Sequence, residues 1–284
     1  MSHRNLSRAA LQTWEASAAA WNESVGRDGN LYWKALQAPC LDRLLADHLD
    51  AHRNRGGGTA CRALELSTGN GIGARWLAAR GAHVTATDGS AGMLEGARSH
   101  GDADGRITYG KLDVTEEADF VSLITGQAGA SDGFDIILMN MSMHDVATLE
   151  PLAKYLPQLL KTDGMFVAQL LHPIFMTSTH SKSLQLSFNP ATGERVVVRG
   201  KLVKEYLHVE PFNLTFDGKR STPLTHFHRP LHELFATFFK AGLVMDALEE
   251  PSFTEEHETP QRIESTANFT QLPALMAFRL RKAH

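Results

Sequence analysis

An α/β fold with a mostly parallel sheet covered on both faces is predicted by three features of this 284-residue sequence. Short apolar runs alternate with helical patterns from Cys61 to Leu171, the spacing that joins parallel strands through crossover helices. The run FDIILMN at 134–140 is apolar without alternation, as a strand buried on both faces requires. A glycine run, Gly69–Gly73, lies between a strand pattern and a helix pattern, where a backbone can approach a ligand closely.

The elements follow in order. Residues 1–52 read as helical: Leu6, Ala10 and Trp14 recur at helical spacing, and Leu41, Leu44, Leu45 and Leu49 fall on one side of a second run that Pro39 kinks or restarts. The tract RGGGT at 55–59 is a joint. CRALEL, HVTATD, ITYGKLDV, FDIILMN and MFVAQLL then read as five strands. Helices are expected through Trp76–Ala78, after a Ser90 cap, and over Leu149–Leu160, with a turn at Asp163-Gly164. Beyond Leu171 come β-like pieces (QLSF, RVVVRG, KLVKEYLHV) with turn residues at Asn189-Pro190, Gly193 and Asp217-Gly218. A helix over 230–240 and strands at LVMDAL and ALMAFRL close the chain. The reading is one domain, 1–284: a helical lid (1–58), a core (59–171), a cap insertion (172–228) and a last helix with strands (229–284).

Bulk properties exclude several classes. Apolar residues make up 43% and charged residues 21%, ordinary for a globular chain. A net charge of −4 supplies no basic field, so neither nucleic acid nor an anionic membrane is an expected partner. Cys40 and Cys61 belong to no cysteine array and suggest buried thiols in a reducing compartment. The N-terminus lacks the apolar core of a secretion signal and no run is long enough to span a bilayer. The expectation is a cytoplasmic monomer or homodimer acting on a small molecule.

Acidic and amide residues at strand ends sharpen the glycine run. Asp88 ends the second strand, 19 residues after Gly69, where a carboxylate accepts from ribose hydroxyls. Asp113 follows the third strand, placed to accept from an adenine amino group, and Asn140-Met141 follows the fourth. Glycine loop and Asp88 alone serve a dinucleotide as well, so an NAD(P)-dependent oxidoreductase stays open, although no Tyr-x-x-x-Lys pair is apparent.

Together these segments resemble the class I S-adenosylmethionine-dependent methyltransferases, small-molecule branch, over nearly the whole chain. ALELSTGNGIGA resembles the first motif of that family, HVTATDGSAGML its ribose-binding motif, KLDV its adenine-binding motif, FDIILMNMSMHD the segment beside the methionine moiety, and LLKTDGMFV the approach to strand five. The N-terminal WEASAAAWNESVGRDGNLYWKALQAPCLDRLL resembles a lid of one bacterial-type branch, and LLHPIF and FHRPLHELFATFFKAGLVMDALEEP resemble later segments of that branch. The resemblance implies a Rossmann-like seven-stranded sheet with an antiparallel last strand, and S-adenosyl-L-methionine as cofactor. It implies contacts from Glu65, Ser67, Thr68, Gly69, Asn70, Gly71, Asp88, Gly89, Met93, Asp113, Val114, Asn140 and Met141. Ser67 departs from the pattern, which usually begins its glycine series there. A protein that binds S-adenosylmethionine for regulation or another reaction is a further alternative.

Methyl transfer needs in-line positioning above all, and a proton acceptor when the nucleophile is a hydroxyl. His144, just past the fourth strand, is the first candidate base and His172, after the fifth, the second. Each also suits a structural role. His226, His228 and His232 have suggestive spacing for a metal, but no acid completes the set in sequence, so no metal is expected. Trp14, Trp21, Tyr32 and Trp33 are candidates to close over the cofactor, and Tyr206, Phe212, Phe216 and Phe227 to line an acceptor pocket.

Overall fold

The computed structural model describes residues 3–54, 60–102, 105–126, 132–176, 182–215 and 222–283. The joint at 55–59, Phe216 and the Asp217-Gly218 turn lie outside the described residues.

The chain begins with α1 (His3–Val25), a π-helical turn at Trp33–Gln37, and α2 (Ala38–Asn54). Residues 31–54 are helical without a break, so Pro39, the second residue of α2, does not restart the helix: it follows the π-helical turn directly, where the regular ladder of backbone bonds has already shifted. The alternating region follows as β1 (Arg62–Leu66), α3 (Ile72–Ala79), β2 (His83–Asp88), α4 (Ala91–Ser99), β3 (Ile107–Lys111), α5 (Glu117–Gly126), β4 (Phe134–Asn140), α6 (Glu150–Leu159) and β5 (Leu160–Leu171). Next come β6 (Lys182–Phe188), β7 (Arg195–Lys201), β8 (Phe212–Leu214), β9 (Leu224–His226), α7 (Leu231–Lys240), β10 (Leu243–Glu249) and β11 (Leu275–Lys282).

Seven strands form one sheet in the order β10-β11-β5-β4-β1-β2-β3. Only β11 runs against its neighbours β5 and β10; the other pairings are parallel. The resulting fold is the Rossmann-like class read from the sequence. Strand order reverses between β1 and β4, and the crevice at their carboxyl ends is where such sheets place a ligand. Phe134 to Met139 are buried throughout, because β4 has cores on both faces. One core gathers Phe120, Phe166, Phe238 and Phe278; the other sets Leu41, Leu45 and Leu49 of α2 against Leu77, Ile136 and Val167. The second core fixes the lid segment to the sheet.

Two expectations are corrected. Asp163-Gly164 is no turn: β5 starts at Leu160, and its register against β4 shifts between Phe134 and Ile136. A Cβ on Gly164 would stand 2.7 Å from the Phe134 carbonyl oxygen, so the glycine serves close strand approach there. KLVKEYLHV contributes only Lys201 to a strand; Leu202, Val203 and Leu207 are exposed, with no face of the segment packed against a neighbouring ladder. The insertion folds into two hairpins apart from the main sheet, β6-β7 and β8-β9, and β9 packs against α1.

No helix among the described residues is long and apolar enough to cross a membrane. Cys40 and Cys61 are buried free thiols, each pushed up to about 12, chiefly by desolvation.

Candidate active site

The glycine loop bends where β1 ends. Ser67, Gly69 and Gly71 have φ of +54°, +55° and +76°. Asp88 clamps the loop from the next strand: one carboxylate oxygen accepts from the Gly69 amide at 2.9 Å, the other from the Ser90 amide at 2.9 Å. Burial raises Asp88 to about 6, against the pull of these two amides. Ser90 caps α4 by accepting from the Met93 amide.

Glu65 lies beneath this loop rather than in the crevice. It is 1% exposed, accepts from the Thr68 hydroxyl, and is pushed up to about 8, mainly by desolvation. Gly73 makes room for it, since a Cβ there would sit 2.0 Å from Glu65 Oε1. Gly71 is the left-handed cap of α3, and its added Cβ would meet that of Ala97 at 3.0 Å. Glu65 and Gly71, expected as cofactor contacts, thus support the loop and are not among the residues lining the cavity beside it.

The other expected contacts converge. A cavity of about 820 Å³ is lined by Ser67, Thr68, Gly69, Asn70, Asp88, Gly89, Met93, Asp113, Val114, Asn140, Met141 and His144. Trp14, Trp21, Tyr32 and Trp33 line it from the lid. Trp14 and Trp21 meet edge to face, with centroids 5.3 Å apart, and a Cβ on Gly69 would be 3.4 Å from Trp21 Nε1. The lid is pinned by Glu15, which accepts from the Ser90 hydroxyl at 2.6 Å and the Gly92 amide at 3.2 Å, and by Asn70, which donates to the Gly26 carbonyl at 2.8 Å. Asn70 therefore ties loop to lid besides facing the cavity.

The sequence reading missed Gln37. Its side-chain oxygen accepts from the Asn140 amide at 2.9 Å and its backbone oxygen accepts from Gln169 at 3.1 Å. Asn140 is thereby turned so that its Oδ1 is buried without a partner, an acceptor awaiting a donor. Nothing local announces this pair, 103 residues apart, except the π-helical turn, a form that recurs at functional sites.

Next to Asn140 stands a buried polar cluster. Asp145 lies between two imidazoles, with Oδ2 3.7 Å from His144 Nε2 and Oδ1 3.5 Å from His226 Nδ1. The two rings lie parallel with centroids 5.0 Å apart. His144 Nδ1 accepts from the Leu171 amide at 3.4 Å, which assigns the ring proton to Nε2, facing Asp145. Nε2 thus carries the ring proton but, at 3.7 Å from Asp145, makes no hydrogen bond to it. His226 lines the cavity, and its Nδ1 and Asp145 Oδ1 are buried without hydrogen-bond partners. Desolvation holds His226 down to about 4 and lifts Asp145 well above the usual carboxylate range.

His172 does not reach the cavity. It is 1% exposed; Nε2 is 2.8 Å from Glu250 and Nδ1 accepts from the Ile174 amide at 3.2 Å, so its role is structural. The His226, His228 and His232 trio also disperses. His228 bonds the Tyr206 carbonyl, His232 is exposed beside Glu233, and His226 meets the buried Asp145. The acid that the sequence did not supply is Asp145, and with His144 its ligand-capable atoms lie within 4.8 Å of one another. Of the aromatic residues expected around an acceptor, Phe212 and Phe227 line a small adjoining pocket of about 30 Å³ instead. The insertion lends the large cavity Lys182, Lys201, Leu214 and Leu224.

Residues 64–168 match the family described as "Methyltransferase domain". No curated protein matches the sequence. Among solved structures, the chain is similar to an S-adenosylmethionine-dependent methyltransferase from Mesorhizobium loti (TM-score 0.57, 23% identity, 90% of this chain and 100% of the other). It is similar as well to the CcbJ methyltransferase from Streptomyces caelestis (TM-score 0.58, 17% identity, 96% and 98%). A third similar structure is a complex of DhpI with SAH (TM-score 0.50, 16% identity, 100% and 99%).

Proposed function

We propose that the chain, whose residues 64–168 match a methyltransferase domain, transfers a methyl group from S-adenosylmethionine to a hydroxyl or amine of a small molecule. One observation carries this reading: a single cavity runs from the Ser67–Asn70 loop, past Asp88, Asp113 and Asn140, to the His226–Asp145 pair. At about 820 Å³ it stands high in the range of about 300–1,000 Å³ usual for small-molecule sites, room for a cofactor and a modest acceptor together.

The residues present suit an adenosyl sulfonium cofactor. Asp88 offers a carboxylate to ribose hydroxyls, Asp113 an acceptor past β3, and the orphaned Asn140 Oδ1 an acceptor for an amino group. When bound, that cofactor supplies a methyl carbon already activated by the positive sulfur. The chain's own part is to hold the nucleophile in line, exclude water under Trp14 and Trp21, and receive a proton. For a hydroxyl acceptor that proton goes to His226 with Asp145 behind it, because the Nδ1 lone pair of His144 faces the Leu171 amide, its Nε2 carries the ring proton, and His172 faces elsewhere.

The test is calorimetric titration of the full chain with S-adenosylhomocysteine and, separately, NADH, followed by transfer of labelled methyl into a small-molecule extract. Binding of S-adenosylhomocysteine and label on a low-mass product are expected. Binding of NADH alone would replace this reading with an oxidoreductase, and binding without labelled product would leave a regulatory module.

A further inference from the structure

We infer that the insertion forms an oxyanion subsite, and that the acceptor carries a carboxylate or phosphate bound between Lys182 and Lys201. This rests on the methyl-transfer reading and names the substrate class it leaves open.

Lys182 and Lys201 are directly opposite each other at the open end of the β6-β7 hairpin. Like charges across a ladder destabilise it, and here both side chains face the wall of the cavity, with Lys201 half-buried and Lys182 exposed. Among the described residues neither forms an ion pair. Lys182 donates to the Glu264 carbonyl oxygen at 2.7 Å, and Lys201 to the Phe175 carbonyl oxygen at 2.7 Å and Met176 Sδ at 2.9 Å. An ammonium has three protons, so Lys182 keeps two donors and Lys201 one. Neutral acceptors hold the two ammonium groups in place without cancelling their charge. Arg262 lines the same wall, and among the described residues the one carboxylate beside it there is Glu264, 3.6 Å from Arg262 Nε. The wall therefore carries an excess of two positive charges, in a chain whose net charge is −4. Burial and the neighbouring Lys182 lower Lys201 to about 8, a repulsion that an anion seated between the two would relieve. The subsite opens into the same cavity as His226, so an acceptor anchored there by its anionic end presents its other end to the reacting region.

The experiment follows 4-fluorobenzoate by fluorine NMR on the full chain saturated with S-adenosylhomocysteine. Binding with a Kd near or below about 1 mM is expected, with 4-fluorobenzamide at least about tenfold weaker. Lys182→Met and Lys201→Met should each weaken the benzoate about tenfold while S-adenosylhomocysteine binding and the melting temperature hold, and Lys240→Met on α7 should change nothing. Inorganic phosphate displacing the probe more readily than benzoate assigns a phosphate-bearing acceptor; the reverse order assigns a carboxylate. Equal affinity for acid and amide, or lysine variants without effect, overturns the proposal. So does exclusion of the probe by S-adenosylhomocysteine but not by 5′-methylthioadenosine, which would give the lysines to the cofactor's own carboxylate. Failure of S-adenosylhomocysteine to bind at all refutes the underlying function instead.

Discussion

Replacing Asp88 by Asn keeps the size of the side chain, removes its charge and breaks one of the two clamp bonds, since the amide nitrogen cannot accept from Gly69 or Ser90. Bonds from ribose hydroxyls to a charged acceptor are worth about 1.5–3 kcal/mol each, so Asp88→Asn should weaken S-adenosylhomocysteine binding by about 10- to 150-fold. Its pH signature is more specific. Asp88 rises from 3.8 to about 6 in the fold through burial, and only the ionised form accepts from both hydroxyl donors. Wild-type affinity should therefore tighten as pH rises from 5 to 7 and level off above. At pH 5 about one-tenth of the carboxylates are ionised, a loss of about tenfold. Stability of the free protein moves the other way. A carboxyl whose folded pKa lies above its unfolded value binds its proton more firmly when folded, so its contribution falls between pH 3.8 and about 6 and is constant above. The ligand-induced rise in Tm should consequently grow with pH over that window, and Asp88→Asn should flatten both trends. Titration calorimetry at pH 5, 6 and 7.5, with thermal melts of free and bound protein, reads both. Wild-type affinity flat across that range, or an Asn variant binding within twofold of wild type, would refute the assignment of Asp88 as the ribose acceptor.

Three further outcomes are expected. His226→Gln should slow methylation of hydroxyl acceptors by about 10²–10⁴ with S-adenosylhomocysteine affinity within twofold of wild type, while His172→Gln lowers Tm and spares kcat; unchanged turnover in His226→Gln moves the base elsewhere. Gly73→Ala drives a methyl into the Glu65 carboxyl and should cost about 2 kcal/mol, near 4 °C in Tm, with part of the loss recovered when Glu65→Ala is added. Strict additivity in that double-mutant cycle would show that the two groups do not meet. Because Glu65 rises from 4.5 to about 8 on folding, its contribution to stability falls as pH climbs through that interval, and Glu65→Gln should remove that slope from the wild-type curve, as urea titrations at pH 5, 6.5 and 8 would register.

What the sequence revealed and what it hid separate by distance along the chain. The Ser67–Gly73 loop and the Ser90 cap are legible because each is written in adjacent residues with fixed backbone preferences. Asp88 and Asn140 were found because strand ends recur in register across a parallel sheet. His226 pairs with Asp145 only once β9 is folded over the crevice, and no periodicity forecasts where a short hairpin lands. Lys182 and Lys201 meet through hairpin register, which the alternation of QLSF and RVVVRG left open. Gln37 and Asn140 join a helical turn to a strand far away. Asp163-Gly164 misled because turn-forming residues also serve where strands crowd.

Ser67 and Met141 are the only residues other than glycine with positive φ among the described residues, at +54° and +57°, and each directly follows its strand, β1 or β4. Each bend is fixed next door or at its own amide: Thr68 donates to the Thr87 carbonyl oxygen at 2.8 Å, and Met141 to that of Gln169 at 2.7 Å. The main chain on either side of the crevice is thus cast in its working shape during folding, like a mould filled later. A ligand entering it would order little backbone, so α1, which lines the cavity with Trp14 and Trp21, is the wall expected to yield as ligands pass. Shortening those two aromatic side chains should speed release far more than loosening either bend.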